Sequence, residues 1–152
     1  MRGGTAVLAL AVLGVLCTIG AVSNASAETP TEKRLLNLID STRRAHGLPA
    51  LRDSESLCRS ARRMSLYIMV HDRFGHLARI RASGRFRLKG EALAIYSGWR
   101  MQPHRVLRMW MNSPPHRELL LSRRMRFAGV GAKAGHYGSS RMTAWTLHLG
   151  RY

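Results

Sequence analysis

The stretch WMNSPPHREL, Trp110 to Leu119, sets a histidine just behind a pair of prolines. Serine followed by proline is the pattern of a helix start, with the serine at the cap and the proline at the first helical position. Ser113 and Pro114 therefore open a short helix that ends in Leu119, Leu120 and Leu121. Immediately upstream, Pro103 opens another, with Val106, Leu107 and Trp110 on its inner face. His116 falls in the first turn of its helix, where the helix dipole disfavours the imidazolium and keeps a lone pair available. That placement suits a metal ligand. It suits equally a histidine that only hydrogen-bonds a carboxylate across a cleft, in a polar network that needs no metal.

Upstream, two longer helices can be read. Thr29-Pro30-Thr31-Glu32 has the capping-box spacing, Leu35, Leu36 and Ile39 recur at helical intervals, and Gly47 stops the helix. The link GLPAL supplies two apolar plugs, Leu48 and Leu51. Asp53 is expected to cap a second helix, whose apolar line runs Leu57, Ala61, Met64 and Ile68 and whose opposite face carries Arg59, Arg62 and Arg63. This helix ends near His71 or Asp72. Residues 79–90 are Arg- and Gly-rich without periodicity, the pattern of an exposed loop. GEALAIY, Gly90 to Tyr96, then resumes order as a strand or a helix turn.

Downstream, the period changes to two. FAGVGAK and RMTAWTLHLG alternate as strands, joined by the turn-like AGHYGSS. Helices come first and a hairpin last, without a βαβ rhythm, so the fold class is α+β. Trp110 and Trp145 lie on buried phases and are expected in the core, whereas Trp99 sits in a loop beside Arg100.

Residues 1–27 read as a secretory signal: Arg2 is the positive start, Ala6–Ile19 the apolar stretch, and Ala25-Ser26-Ala27 the cleavage pattern. A retained membrane anchor is the competing reading. The cleavage pattern, and the lack of basic residues just after it, favour removal, so no retained transmembrane helix is expected. Leu16-Cys17 lacks the small residue that a lipoprotein box places before its cysteine. Residues 28–152 form one modest domain with a single core. Cys17 leaves with the signal, so Cys58 has no intramolecular partner and reads as a small buried hydrophobe.

Charge dominates the composition, at a formal +17. All eight acidic residues and 24 of the 25 Lys and Arg residues follow Ala27, leaving +16 on residues 28–152. Such a surface attracts polyanions. Nucleic acid would be the partner inside a cell, but the signal directs the chain to the periplasm or outside. There the anions are lipid headgroups, lipopolysaccharide and wall polymers. The arginines are scattered through every segment, which equally fits a generally basic solvated surface.

Three segments stand out together: RFGH with His76, KGEAL with Glu91, and WMNSPPHRELLL with His116. With LLNLIDSTRRAHGLPAL at the start and GVG in the closing hairpin, their order resembles the bacterial CAP superfamily, also called SCP. That family groups the cysteine-rich secretory, antigen 5 and pathogenesis-related-1 proteins. The resemblance runs from about Leu35 to Gly150. It implies an α-β-α sandwich, with helices flanking a small antiparallel sheet and a cleft that collects His76, Glu91 and His116. The family's asparagine after the glutamate is replaced here by Ala92, and no acid follows Trp110 where eukaryotic members carry a second cleft glutamate.

Two neutral imidazoles and one carboxylate make a first shell for zinc, with the fourth position open to water. His76, Glu91 and His116 are thus the candidate cleft and metal residues. No catalytic residue is assigned, because no nucleophile or base is matched, and Ser113 reads as a cap. His136, in GHY, is expected to be a decoy in the hairpin turn. His46, His71, His104 and His148 lack motif support and are expected to be solvated or edge residues. Two functions follow: a secreted, non-enzymatic module that binds an anionic or lipidic envelope component, or a metal-dependent hydrolase built on the His76, Glu91 and His116 zinc site. The sequence leaves the oligomeric state and the presence of catalysis open.

Overall fold

The computed structural model describes residues 28–83 and 86–152. The signal segment and its cleavage site lie outside the described residues. Helix α1 spans Pro30–Ala45, and its start is the capping box expected from the sequence: Glu32 N–H donates to Thr29 Oγ1, and Thr29 N–H donates to the Glu32 carboxylate. It ends at Gly47, whose φ of +67° is a left-handed conformation that glycine adopts without a Cβ penalty. Helix α2 spans Glu55–His71. Ser54, not Asp53, occupies its N-cap; Asp53 instead belongs to the two-residue strand β1, Arg52–Asp53, and pairs with Lys33.

Strand β2 runs Leu88–Ser97, so the GEALAIY segment is a strand that begins within the expected loop. The loop reading fails at that end because Phe86 is buried and Leu88–Gly90 pair with β4. Helices α3, Pro103–Met111, and α4, Pro114–Leu120, follow as read from their prolines. Ser113 caps α4 by position, yet its side chain makes no cap hydrogen bond; its carbonyl accepts from Arg117 N–H at 2.8 Å. Strands β3, Phe127–Tyr137, and β4, Ser140–Arg151, close the chain as a hairpin. Its turn is only Gly138-Ser139, with Gly138 at φ +57°, so the rest of AGHYGSS is strand.

The sheet order is β1-β3-β4-β2, with β1 parallel to β3 and the other pairs antiparallel. Alternation assigns its two faces. Ala92, Ala94, Tyr96, Trp145, Leu147 and Leu149 face α1, α3 and α4, where Leu35, Ile39, Val106 and Trp110 complete the larger core. The buried Trp110 donates its indole N–H to Leu93 O at 3.0 Å, tying α3 to β2. On the opposite face, Met64, Ile68 and Met69 of α2 pack on Leu93 and Ala144. Helices therefore cover both faces of the sheet in an α-β-α sandwich. The GVG motif explains how α2 fits: a Cβ on Gly129 would lie 2.1 Å from Cys58 N, and one on Gly131 would lie 2.2 Å from Arg62 N. The α2 backbone rests directly on the two glycines, while Val130 between them points into the other core. Among the described residues, no helix is long and apolar enough to cross a membrane.

Candidate functional site

The site lies at the open edge of the sheet, on strand β2. Asp72 ends α2 in the left-handed region, at φ +48°, and its carboxylate accepts from Gly138 N–H at 2.6 Å. Phe74 N–H donates to Tyr137 Oη at 3.1 Å. These two bonds turn the chain back across the end of the hairpin and bring His76 to β2. There His76 Nδ1 meets Glu91 Oε1 at 2.7 Å. Glu91 stands directly opposite His148 in the β2–β4 register, so the two side chains share a face. His148 Nε2 meets the second carboxylate oxygen, Oε2, also at 2.7 Å. One carboxylate thus holds two imidazoles.

Burial would raise the Glu91 pKa, but hydrogen bonds from His148 and His76, with their charges, outweigh it and hold the carboxyl below its ordinary range. Glu91 is an acceptor for two ring N–H groups. His116 lies in α4 as expected, half-buried. Its pKa is pushed down by burial and then by the charge of His76. Among the described residues, His116 has no hydrogen bond or ion pair with Glu91. The structure joins His76 and His148 through Glu91, with His116 outside that bonded set.

His148 is the residue that motif reading misses. The sequence places it at an edge or in solvent; the structure buries it, at 1 % exposure. The signal is its phase: along β4, Ala144, Thr146 and His148 alternate on one face, and that face is covered by α2. His46, His71 and His104 are exposed, as expected. His136 lies within β3, packed edge-on to Trp99 at 5.4 Å, at the opposite end of the hairpin from His148. Trp99 is exposed, but its indole N–H donates to Gly135 O at 2.9 Å and Arg141 stacks over its ring. Cys58 is buried, and burial pushes its thiol pKa up, as befits a packing residue.

His76, Glu91 and His116 are not assembled as three zinc ligands, because Glu91 is taken up by hydrogen bonds to two imidazoles. Both oxygens of Glu91 already face ring nitrogens at hydrogen-bond distance. Those nitrogens carry the protons, so neither offers a lone pair toward the carboxylate's position. Among the described residues, no group of three His, Cys, Asp or Glu side chains is arranged to hold a metal ion.

Beside Glu91 and His148 a cavity of about 310 Å³ opens between α2 and residues 77–81. Its base is formed by buried Ser60, Met64 and His148, and Tyr67 and Ile80 line its walls. Its mouth carries Leu77 with Arg63, Arg79 and Arg81, all exposed. Segment 77–83 is a fixed wall: Arg63 Nη2 donates to Arg81 O at 2.8 Å, Lys89 Nζ donates to Ile80 O at 3.2 Å, and Ser56 Oγ donates to Ser83 O. Among the described residues, Arg79 and Arg81 have no acidic partner, whereas Arg59 and Arg62 pair with Glu55 and Glu32.

Comparison with known proteins places this architecture. An outer surface protein from Borrelia burgdorferi superposes with a TM-score of 0.65 at 19 % identity, over 82 % of this chain and 96 % of that one. An extracellular protein containing a SCP domain from Bacillus anthracis also gives 0.65, at 21 % identity, over 83 % of this chain but only 45 % of that one. The venom allergen-like protein 4 of Schistosoma mansoni gives 0.62 at 11 % identity, over 82 % of this chain and 92 % of that one. These likenesses show the fold. No curated protein matches the chain by sequence. The family description "CAP: Cysteine-rich secretory protein family" matches residues 36–149, and the chain belongs to that family.

Proposed function

We propose that the chain is a non-enzymatic binding module that acts outside the cytoplasm on an anionic or lipidic component of the cell envelope. The observation that carries this reading is the cavity beside Glu91 and His148, with a largely apolar interior and a mouth of three arginines. An apolar interior favours hydrocarbon, and guanidinium groups without acidic partners favour a carboxylate or phosphate at the entrance. The formal charge of +17 draws anionic surfaces toward that entrance. A signal-like N-terminus and likeness to extracellular and outer-surface proteins support a location in the envelope or beyond it.

The test is co-sedimentation with phosphatidylglycerol and phosphatidylcholine vesicles across a salt series. Binding to the anionic vesicles alone, weakening as salt screens the arginines, supports the proposal. Absence of binding to anionic vesicles at low salt refutes the lipid-surface part of it. Retention on isolated wall polymers would then assign the anion to the wall.

A further inference from the structure

Exposed apolar side chains gather in one place on this molecule. Among the described residues, eight large hydrophobic side chains are exposed, and four of them, Leu66, Val70, Phe74 and Leu77, fall within residues 66–77. Helix α2 turns Ile68 and Met69 to the sheet, so Leu66 and Val70, one turn apart, lie on its outer side, with Val70 65 % exposed. A lone exposed hydrophobic is ordinary, whereas a group rimmed by charge marks an interaction surface. The rim here is basic. Arg63 stands one turn before Leu66 on the same outer line, and its bond to Arg81 O fixes segment 77–83 alongside. Arg79 and Arg81 are exposed on that segment, and Arg73 is exposed just past the end of α2. Among the described residues, none of these four arginines forms a salt bridge. The acids at the two ends of α2 are occupied: Glu55 pairs with Arg59, and Asp72 accepts from Gly138 N–H.

We propose that this face docks on an anionic lipid bilayer. Leu66, Val70, Phe74 and Leu77 enter the boundary between headgroups and acyl chains, and Arg63, Arg73, Arg79 and Arg81 lie against the phosphates. A bilayer offers hydrocarbon and negative charge together, which is what the patch and its rim complement. A second copy of this chain would set the same arginines against each other. Leu77, Arg63, Arg79 and Arg81 also line the cavity, so its mouth opens on the docked side. This inference rests on the proposed envelope-binding role and names the surface and the partner.

The test compares Val70→Asp with Met109→Asp in co-sedimentation with phosphatidylglycerol vesicles at low salt. Each puts one negative charge at an exposed apolar residue, but Met109 lies on α3, across the sheet from α2. The full chain is used throughout, so any contribution of residues 1–27 is common to all variants. Val70→Asp should weaken binding about tenfold or more, as one apolar side chain is replaced by a charge in the contact, and Met109→Asp by less than about threefold. An environment-sensitive fluorophore on Val70→Cys, with Cys17→Ser, reads the same contact without a charge change, because Cys58 is buried. Its emission should shift to the blue on adding the vesicles, while a fluorophore on Ser41→Cys of α1 should not respond. If wild type sediments but Val70→Asp binds as tightly as Met109→Asp, or the fluorophore at 70 does not shift, this face is overturned while the envelope-binding role stands. If wild type does not sediment, the lipid-surface reading and this inference fail together. If wild type self-associates without lipid and Val70→Asp makes it monomeric, the face is a contact between copies and the membrane assignment is overturned.

Discussion

Replacing Glu91 with alanine separates the two histidines that the carboxylate holds. Each hydrogen bond measures 2.7 Å, yet their worth differs because the side chain of His76 is 60 % exposed and that of His148 only 2 %. Water replaces the carboxylate at His76, so that contact contributes no more than an exposed ion pair, about 0–1 kcal/mol. At His148 the loss leaves a buried N–H unpaired on a ring whose other nitrogen already lacks a partner, a cost of about 2–3 kcal/mol. Glu91→Ala should therefore lower the unfolding free energy by about 2–3 kcal/mol, and His76→Ala by less than about 1 kcal/mol. Urea unfolding at pH 7, followed by tryptophan fluorescence, reads both, because Trp110 and Trp145 are buried. The pH dependence has a definite sign. Glu91 is held below its ordinary range in the folded state, so its contribution is fully present above the unfolded carboxyl pKa, about 4.3. It declines as pH falls below that value toward the folded pKa. The gap between wild type and Glu91→Ala should narrow below about pH 4.3. Equal destabilisation by Glu91→Ala and His76→Ala, or a gap that stays constant through this range, would refute the assignment of the buried contact to His148.

Two further predictions concern how the sandwich is held together. Gly131→Ala places a Cβ 2.2 Å from the backbone of Arg62 and forces α2 off the sheet, at a cost of about 1–3 kcal/mol or more, whereas Gly135→Ala meets only Met69 at 3.8 Å and should be nearly neutral. Thermal unfolding of the two variants should show that contrast. Glu32 is buried and accepts from Thr29 N–H, Ala132 N–H and the Arg62 guanidinium, so Glu32→Ala should cost about 3–5 kcal/mol. Thr29→Ala removes one cap bond of the same capping box and should cost only about 1 kcal/mol. Comparable urea midpoints for the two variants would show that Glu32 acts as a cap alone.

The helices were legible because their signals are local. Thr29 and Glu32 lie within one turn of each other, Pro103 and Pro114 fix φ at the first position of α3 and α4, and Gly47 stands where α1 must stop. The hairpin was legible from its period of two, and the ordered motifs around His76, Glu91 and His116 carried the family. Glu32 shows where local reading stops: the capping box identified its contact with Thr29, but not the amide of Ala132, one hundred residues away.

The same limit governs the site. Residues 88–90 carry no clear alternation, and they are strand because β4 supplies the hydrogen bonds. Arg63 and Lys89 turn the irregular segment 77–83 into a cavity wall through bonds to its carbonyls, which leave no trace in side-chain periodicity. Sequence alone determined where helices begin and end to within a residue or so, which strand phases are apolar, and the order of motifs that carries the family. Tertiary structure decided which group Glu91 grips: the pairing of β2 with β4 sets His148 opposite it, and burial under α2 leaves that ring no water to bond instead. A register between strands joined only through a long crossover is settled by packing of the whole sheet, so no neighbour in the chain could announce it.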